Sequence, residues 1–356
     1  MPPKVYFIPL PDNASPAAQA AALAKLFAAS NAALALAKND FTLIKFSVGE
    51  KNNDTHLAPA LVKAAVDLVA AAKATPFLGE TATLYKGERM NAVKHLLHAE
   101  RHGFSIAATG APFIMLDGLL GNSELDVEIN GELFASVKIA REAVVADSLI
   151  TLNHPTGHMA TGLGACIKNL GMGLASRMGK MRQHSSMKPA VIAEKCVACR
   201  KCLEWCPVDC ISMPGKIAQI DATRCIGCGE CLTVCRFEAI KYDWGADPAY
   251  LQKAMAEYAY GSVKAKAGKA FHFNIMVNMT KDCDCISRKQ DKLIPDLGIL
   301  ASADPVAVDA ATLDLTARAH AANLAVLSHP RHDPYIQLRH AAKVGMGSLE
   351  YELVRC

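Results

Sequence analysis

Lys195-Cys196-Val197-Ala198-Cys199-Arg200-Lys201-Cys202-Leu203-Glu204-Trp205-Cys206-Pro207 is followed 29 residues later by Arg224-Cys225-Ile226-Gly227-Cys228-Gly229-Glu230-Cys231-Leu232-Thr233-Val234-Cys235-Arg236. Eight of the chain's 13 cysteines lie in these two runs, each spaced Cys-x2-Cys-x2-Cys-x3-Cys. A tight loop of this kind supplies three thiolates to the corners of a cubane, and in two-cluster proteins the fourth comes from the other run. The spacing predicts one [4Fe–4S] cluster on Cys196, Cys199, Cys202 and Cys235 (cluster I), and a second on Cys225, Cys228, Cys231 and Cys206 (cluster II). Zinc knuckles or a disulfide framework are the competing readings, and spacing this regular disfavours both. Cys210 reads as a packing residue beside a cluster, and Cys166 and Cys356 as inert thiols.

On either side of this segment the chain reads as α/β. Val5–Leu10 and Thr42–Val48 read as strands around an alanine-rich helix, followed by a helix over Pro59–Lys73. A short strand at Phe77-Leu78, a helix over Asn91–Arg101, a strand at Phe113–Leu116, a helix over Val137–Val145 and a strand at Ser148–Asn153 continue the rhythm. Beyond Asp247-Pro248 come a helix near Tyr250–Lys264, a strand at Phe271–Asn278 and a helix beginning near Pro305. Alternation of this kind argues for a mostly parallel sheet covered on both faces. The expected organisation is an α/β domain over 1–187 and 244–356, into which a small α+β two-cluster domain over 188–243 is inserted. Three independent units in a row is the alternative.

A chain of 356 residues can bury a substantial core. A formal net charge of +4 suggests neither nucleic-acid binding nor an acidic tail. Unpaired or metal-binding cysteines fit a reducing compartment. No signal peptide is visible ahead of Val5, and Ala17–Ala37, broken by Lys25, Ser30 and Asn31, reads as a helix of a water-soluble protein. The expectation is a cytoplasmic protein of anaerobic metabolism with no membrane span.

Ligands of open α/β sheets bind beyond the carboxyl ends of the strands. The polar strand ends here are Gly49-Glu50, Glu80-Thr81-Ala82-Thr83, Asp117-Gly118 and Asn153-His154, and a parallel sheet would bring them to one crevice. His154-Pro155-Thr156-Gly157-His158 runs into a glycine-rich stretch with Gly162, Gly164, Gly171 and Gly173. Glycines let backbone amides approach an anion, and Lys168, Arg177, Lys180 and Arg182 add positive charge. Glu50, Asp117 and these four glycines are therefore candidates for binding a cofactor or substrate. His154, His158 and Lys168 are candidates for proton transfer. Tight turns and close helix packing account equally well for the glycines, and backbone hydrogen bonding for the histidines. His95, His98 and His102 share a helix face, which reads as a partly exposed surface more readily than a metal site. In Asp282-Cys283-Asp284-Cys285 both thiols point the same way if the segment is extended, so Cys283 and Cys285 are candidates for a further metal site or a redox pair, two buried small residues being the plainer reading.

These motifs together resemble the domain-of-unknown-function 362 family, described as uncharacterised iron–sulfur centre proteins, here with an inserted bacterial-type two-cluster ferredoxin module. The residues carrying the resemblance are Val48-Gly49-Glu50, Leu84-Tyr85-Lys86-Gly87, Asp117-Gly118, His154 through Gly173, Cys283-Asp284-Cys285 and Ala303-Asp304-Pro305-Val306-Ala307-Val308-Asp309. Glu80-Thr81-Ala82-Thr83 departs from a more usual aspartate-containing version. More loosely, His158, the glycines and Lys168 look like the His…Gly-Gly…Lys pattern of the lactate-racemase-like fold, in which the corresponding lysine tethers a nickel-pincer cofactor; this likeness is confined to one short segment.

The function expected from these observations is an iron–sulfur oxidoreductase passing single electrons between a partner protein and a small molecule or cofactor in the α/β domain. An electron-transfer adaptor without a catalytic centre, and a cofactor- or metal-handling protein using Cys283 and Cys285, are the alternatives. Lys195, Arg200, Lys201 and Arg236 flank the ligands of cluster I, which predicts the higher potential there and a basic rim for an acidic redox partner.

Overall fold

The computed structural model describes residues 1–184, 188–241, 247–266 and 268–356. The expected domain boundaries, at 187/188 and 243/244, lie at or within stretches outside the described residues. Eight strands form one sheet, in the spatial order Glu352–Arg355, Lys4–Pro9, Gly298–Ser302, Ala270–Met276, Ser148–Asn153, Phe41–Lys45, Thr75–Glu80, Phe113–Met115. Gly298–Ser302 runs opposite to both neighbours, and every other pairing in the sheet is parallel. The fold is a mostly parallel α/β sheet carrying small inserted β elements, the class read from the sequence.

Ser148–Asn153 and Ala270–Met276 are buried along their whole length, as central strands covered on both faces must be. Alternate residues serve opposite faces. Leu149 and Leu300 join a core with the helices Cys166–Leu174, Pro248–Lys264 and Pro305–Ala319. Ile150, Leu152 and Ile299 join another, with the helices Pro16–Ala29 and Pro59–Ala71. Pro305 opens its helix, and Asp304 caps it by accepting from the backbone N–H of Val306 and Ala307, both at 2.9 Å.

The two cysteine runs lie between sheet strands from the earlier and later parts of the chain, so the segment is an insertion. It has a small core of its own around Cys202, Cys210, Ile211, Ala218 and Ile240. Its strands are two-residue pairs, Ala190–Val191 with Ile240–Lys241 and Ile211–Ser212 with Gln219–Ile220.

Val137–Val145, expected as one helix, divides instead into the strand Ser136–Ala140 and the helix Arg141–Val145. Val137 and Ile139 alternate with half-buried Ser136 and Lys138 against the strand Glu124–Glu128, and that period of two governs the local structure. Among the described residues no helix is long and apolar enough to cross a membrane.

Candidate functional site

Phe41–Lys45 is an apolar strand ending in a lysine with 1% of its surface exposed. A buried ammonium needs partners. Lys45 Nζ donates to Glu80 Oε1 at 3.3 Å, to Asn169 Oδ1 at 2.9 Å and to the Phe46 carbonyl at 2.5 Å. Glu80 ends the neighbouring strand, and its Oε2 also takes His95 Nε2 at 2.9 Å and lies 3.6 Å from Arg89. Burial pushes the Glu80 carboxyl up, but Lys45, the His95 hydrogen bond and Arg89 outweigh it and hold it well below the usual carboxylate range. Arg89 also reaches Glu50 Oε2 at 3.4 Å, and the Glu50 backbone N–H donates to the Asp284 carbonyl at 2.8 Å.

A run of side-chain amides extends from this cluster. Asn169 Nδ2 donates to Asn153 Oδ1 at 2.8 Å, Asn153 Nδ2 to Asn274 Oδ1 at 2.8 Å, and Asn274 Nδ2 to Asp309 Oδ1 at 2.7 Å. Asp309 accepts as well from the backbone N–H of Cys166 and Ile167, both at 2.9 Å. The amino end of the helix Cys166–Leu174 is thereby capped by a carboxylate from a distant helix. Burial raises Asp309 to about 6.

Lys168 projects from that helix. It is half-buried, and Nζ lies 3.5 Å from Cys285 Sγ. Burial lowers the Lys168 ammonium to about 8, with Asp284 opposing and Arg89 and Lys45 reinforcing. Among the described residues no carboxylate lies within ion-pair distance of it. His154 is spent on Asp284: Nδ1 meets Asp284 Oδ2 at 2.9 Å and Nε2 meets the Val277 carbonyl at 2.8 Å. With an acceptor at each nitrogen, both ring nitrogens donate in the imidazolium form. Burial works against that charge, but Asp284 prevails and raises His154, while His154 in turn holds Asp284 low. His158 bonds Thr161 Oγ1 through Nδ1 at 2.8 Å, and burial together with Lys168 pushes its imidazole well below its ordinary value.

The remaining candidates lie close by but face other partners. A Cβ on Gly164 would stand 3.2 Å from Lys168 Cδ, and one on Gly173 3.1 Å from Lys45 Cε. Gly171 faces the Met255 carbonyl, and Gly162 adopts a φ of +74° in the turn after His158. Asp117 accepts from the Ala82 N–H at 2.9 Å, and burial raises it to about 6. Lys180 bonds Thr81 and the Ala175 carbonyl. His95 and His98 are buried and His102 is half-buried, with His98 on the Gly49 carbonyl and His102 on the Val48 carbonyl, so of the histidine face expected to be partly exposed only His102 is so. Sequence reasoning missed Lys45 and Arg89. A lone lysine ending the apolar run Phe41-Thr42-Leu43-Ile44 was the available signal for the first.

Cys196, Cys199, Cys202 and Cys235 line one small apolar cavity of the inserted segment, and Cys206, Cys225, Cys228 and Cys231 line another. Among the described residues, however, no group of three or more His, Cys, Asp or Glu side chains is placed to hold a metal ion. That finding overturns the expected pair of [4Fe–4S] clusters, and with it the iron–sulfur oxidoreductase, the electron-transfer and ferredoxin roles, and the link to anaerobic metabolism. Burial pushes the Cys202, Cys228 and Cys231 thiols up, and neutral thiols pack as small hydrophobes. Cys206 turns its Sγ to Cys210, 3.5 Å away. Cys283 and Cys285 are joined to each other in a disulfide, which removes the thiolates that a metal- or cofactor-handling role at this pair required.

The family described as Domain of unknown function (DUF362) matches residues 42–314. The chain belongs to that family. The resemblance read from the motifs is correct as to membership, and the iron–sulfur description attached to it is what the geometry corrects. No curated protein matches. Similar solved structures include a lactate racemase apoprotein from Thermoanaerobacterium thermosaccharolyticum, at 15% identity and a TM-score of 0.33, covering 68% of this chain and 43% of that one. Another is a protein from Thermotoga maritima, at 13% identity and a TM-score of 0.39, covering 83% of this chain and 57% of that one. This chain therefore spans less than two thirds of the length of either.

Proposed function

We propose that this DUF362 protein binds a small carboxylate-bearing molecule at the carboxyl ends of its parallel strands and moves a proton with Lys168. The observation that carries the reading is a charge imbalance. Glu80 is matched by Lys45, Glu50 by Arg89 and Asp284 by His154, which leaves the Lys168 ammonium as the positive charge for an anion to complete. The placement fits the general rule for open α/β sheets. An ammonium lowered to about 8 is poised to exchange protons near neutral pH, where general acid–base catalysis is most effective.

In this reading Lys168 accepts a proton as the amine or delivers one as the ammonium. His154 holds the Asp284 loop, and Asn169 fixes the helix against Lys45. Gly164 gives the lysine stem a close wall, with neutral His158 beside it. Glu50 and Asp117 act as scaffold. The exposed Lys195, Arg200 and Lys201 offer an acidic protein a docking rim. Eleven unbonded cysteines fit the cytoplasm.

Competitive acylation of the native protein at pH 8 tests the reading. Lys168 is expected to label about tenfold faster than exposed lysines, as a lowered pKa requires, and members of a panel of small carboxylic acids are expected to protect it. The same acids should gain deuterium from heavy water at carbon beside the carboxylate with the wild type, and about 100-fold more slowly with Lys168→Gln. Ordinary labelling of Lys168 with no protection by any acid would overturn the proposal.

A further inference from the structure

The geometry points to Cys283–Cys285 as a thiol–disulfide exchange site, with a small dithiol or a dithiol protein as co-reactant and Lys168 as the counter-charge for the released Cys285 thiolate. Four observations carry this. Of 13 cysteines, eleven are unbonded and these two are joined. In a chain whose other thiols stay free, a lone disulfide is characteristically catalytic or redox-sensing rather than structural. Its ring spans only one intervening residue, so it closes too short a loop to serve as a staple. The sulfurs are also unequal. Cys283 is 7% exposed, whereas Cys285 is half-buried, with the Lys168 Nζ 3.5 Å from its Sγ. Finally, the loop is held from both sides. Asp284, between the two cysteines, is fixed by His154 through its carboxylate and by Glu50 through its carbonyl, so the sulfurs keep their places when the bond opens.

The chemistry balances as follows. A thiolate of the dithiol attacks Cys285 Sγ, the accessible sulfur. The Sγ–Sγ bond breaks, and its electron pair leaves on Cys283 Sγ, which takes a proton from solvent. The second thiol of the co-reactant then attacks the mixed disulfide, releasing Cys285 as a thiolate facing the Lys168 ammonium. The protein disulfide gains two electrons, and the dithiol becomes a disulfide. A cation beside the released thiolate favours the reduced form. The site therefore links the redox state of the loop to the charge of Lys168, and it stands whether or not a carboxylate ligand binds there.

Trypsin cuts after Lys281 and Arg288, so one peptide, Asp282–Arg288, carries both cysteines and neither of its flanks. Native protein is incubated at pH 7 in dithiothreitol buffers of graded oxidised-to-reduced ratio, alkylated and digested, and the doubly alkylated fraction of this peptide is measured. We expect a disulfide at the oxidising end, full reduction without denaturant at the reducing end, and initial mixed-disulfide formation on Cys285. At the ratio that half-reduces the wild type, Lys168→Met should be about tenfold less reduced, and Lys168→Arg should restore the wild-type ratio. A peptide that is doubly alkylated from the outset, or a bond that opens only in denaturant, would sink the idea. So would a midpoint that Lys168→Met leaves unchanged. The wild-type measurements decide the exchange site on their own if Lys168→Met does not fold.

Discussion

Lys168 and His154 lie within one site and are both cationic, yet their surroundings drive them apart. Burial lowers Lys168 to about 8, whereas Asp284 raises His154 against the same effect. Acylation of Lys168 should therefore follow a titration centred near pH 8, and an ordinary lysine profile near 10.4 would contradict the desolvated environment. His154 and Asp284 have consequences for stability. His154 is raised, so its contribution is fully present below its unfolded value of about 6.5 and is lost as pH climbs through the folded one. Asp284 is lowered, so its contribution is present above about 3.9 and is lost as pH falls through its folded value. The pair is thus worth most between about pH 4 and 6.5. His154→Gln leaves a buried carboxylate without its partner, and urea titrations should show a loss of about 3 kcal/mol in that window, narrowing as pH falls through the lowered Asp284 value and as it rises through the raised His154 value. A difference independent of pH would mean that the pair does not ionise as its hydrogen bonds imply.

The helix Cys166–Leu174 carries the site through contacts at two of its positions. At Gly171 an added Cβ would meet the Met255 carbonyl at 2.2 Å, so Gly171→Ala must push the helix Pro248–Lys264 away. Overpacking of that kind costs about 1–3 kcal/mol, readable as a lower urea midpoint and as faster labelling at Lys168 once the helix shifts. At the amino end, Asp309→Ala removes the acceptor for two backbone N–H groups and for Asn274, with an expected cost of about 2–3 kcal/mol. Much of this layer was legible in sequence. Ser148–Asn153, Phe113, Pro59 and Pro305 mark their elements because apolar runs and prolines act locally. Gly298–Ser302 was not legible. Five residues buried on both faces carry no alternation, and their reversed direction is set by neighbours far away in sequence.

For the molecule as a whole, the inserted segment keeps its own small core while the sheet draws strands from both sides of it. Replacing 189–241 by a short flexible linker should leave a cooperative thermal transition and rapid Lys168 labelling; loss of both would show that the sheet depends on the insert. The eight regularly spaced cysteines were conspicuous in sequence, but spacing alone does not fix how their side chains settle, and they range from buried Cys231 to exposed Cys199. Lys45 and Arg89 were inconspicuous because their role arises only when Glu80 and Glu50 are brought beside them by strand pairing and the following turn. The amide run from Lys45 through Asn169, Asn153 and Asn274 to Asp309 has a consequence for biosynthesis. Its first donor leaves the ribosome 264 residues before its terminal acceptor. The nascent amino-terminal half therefore holds a lysine and two amides awaiting Asn274 and a carboxylate, and the sheet closes late, after the insert has emerged.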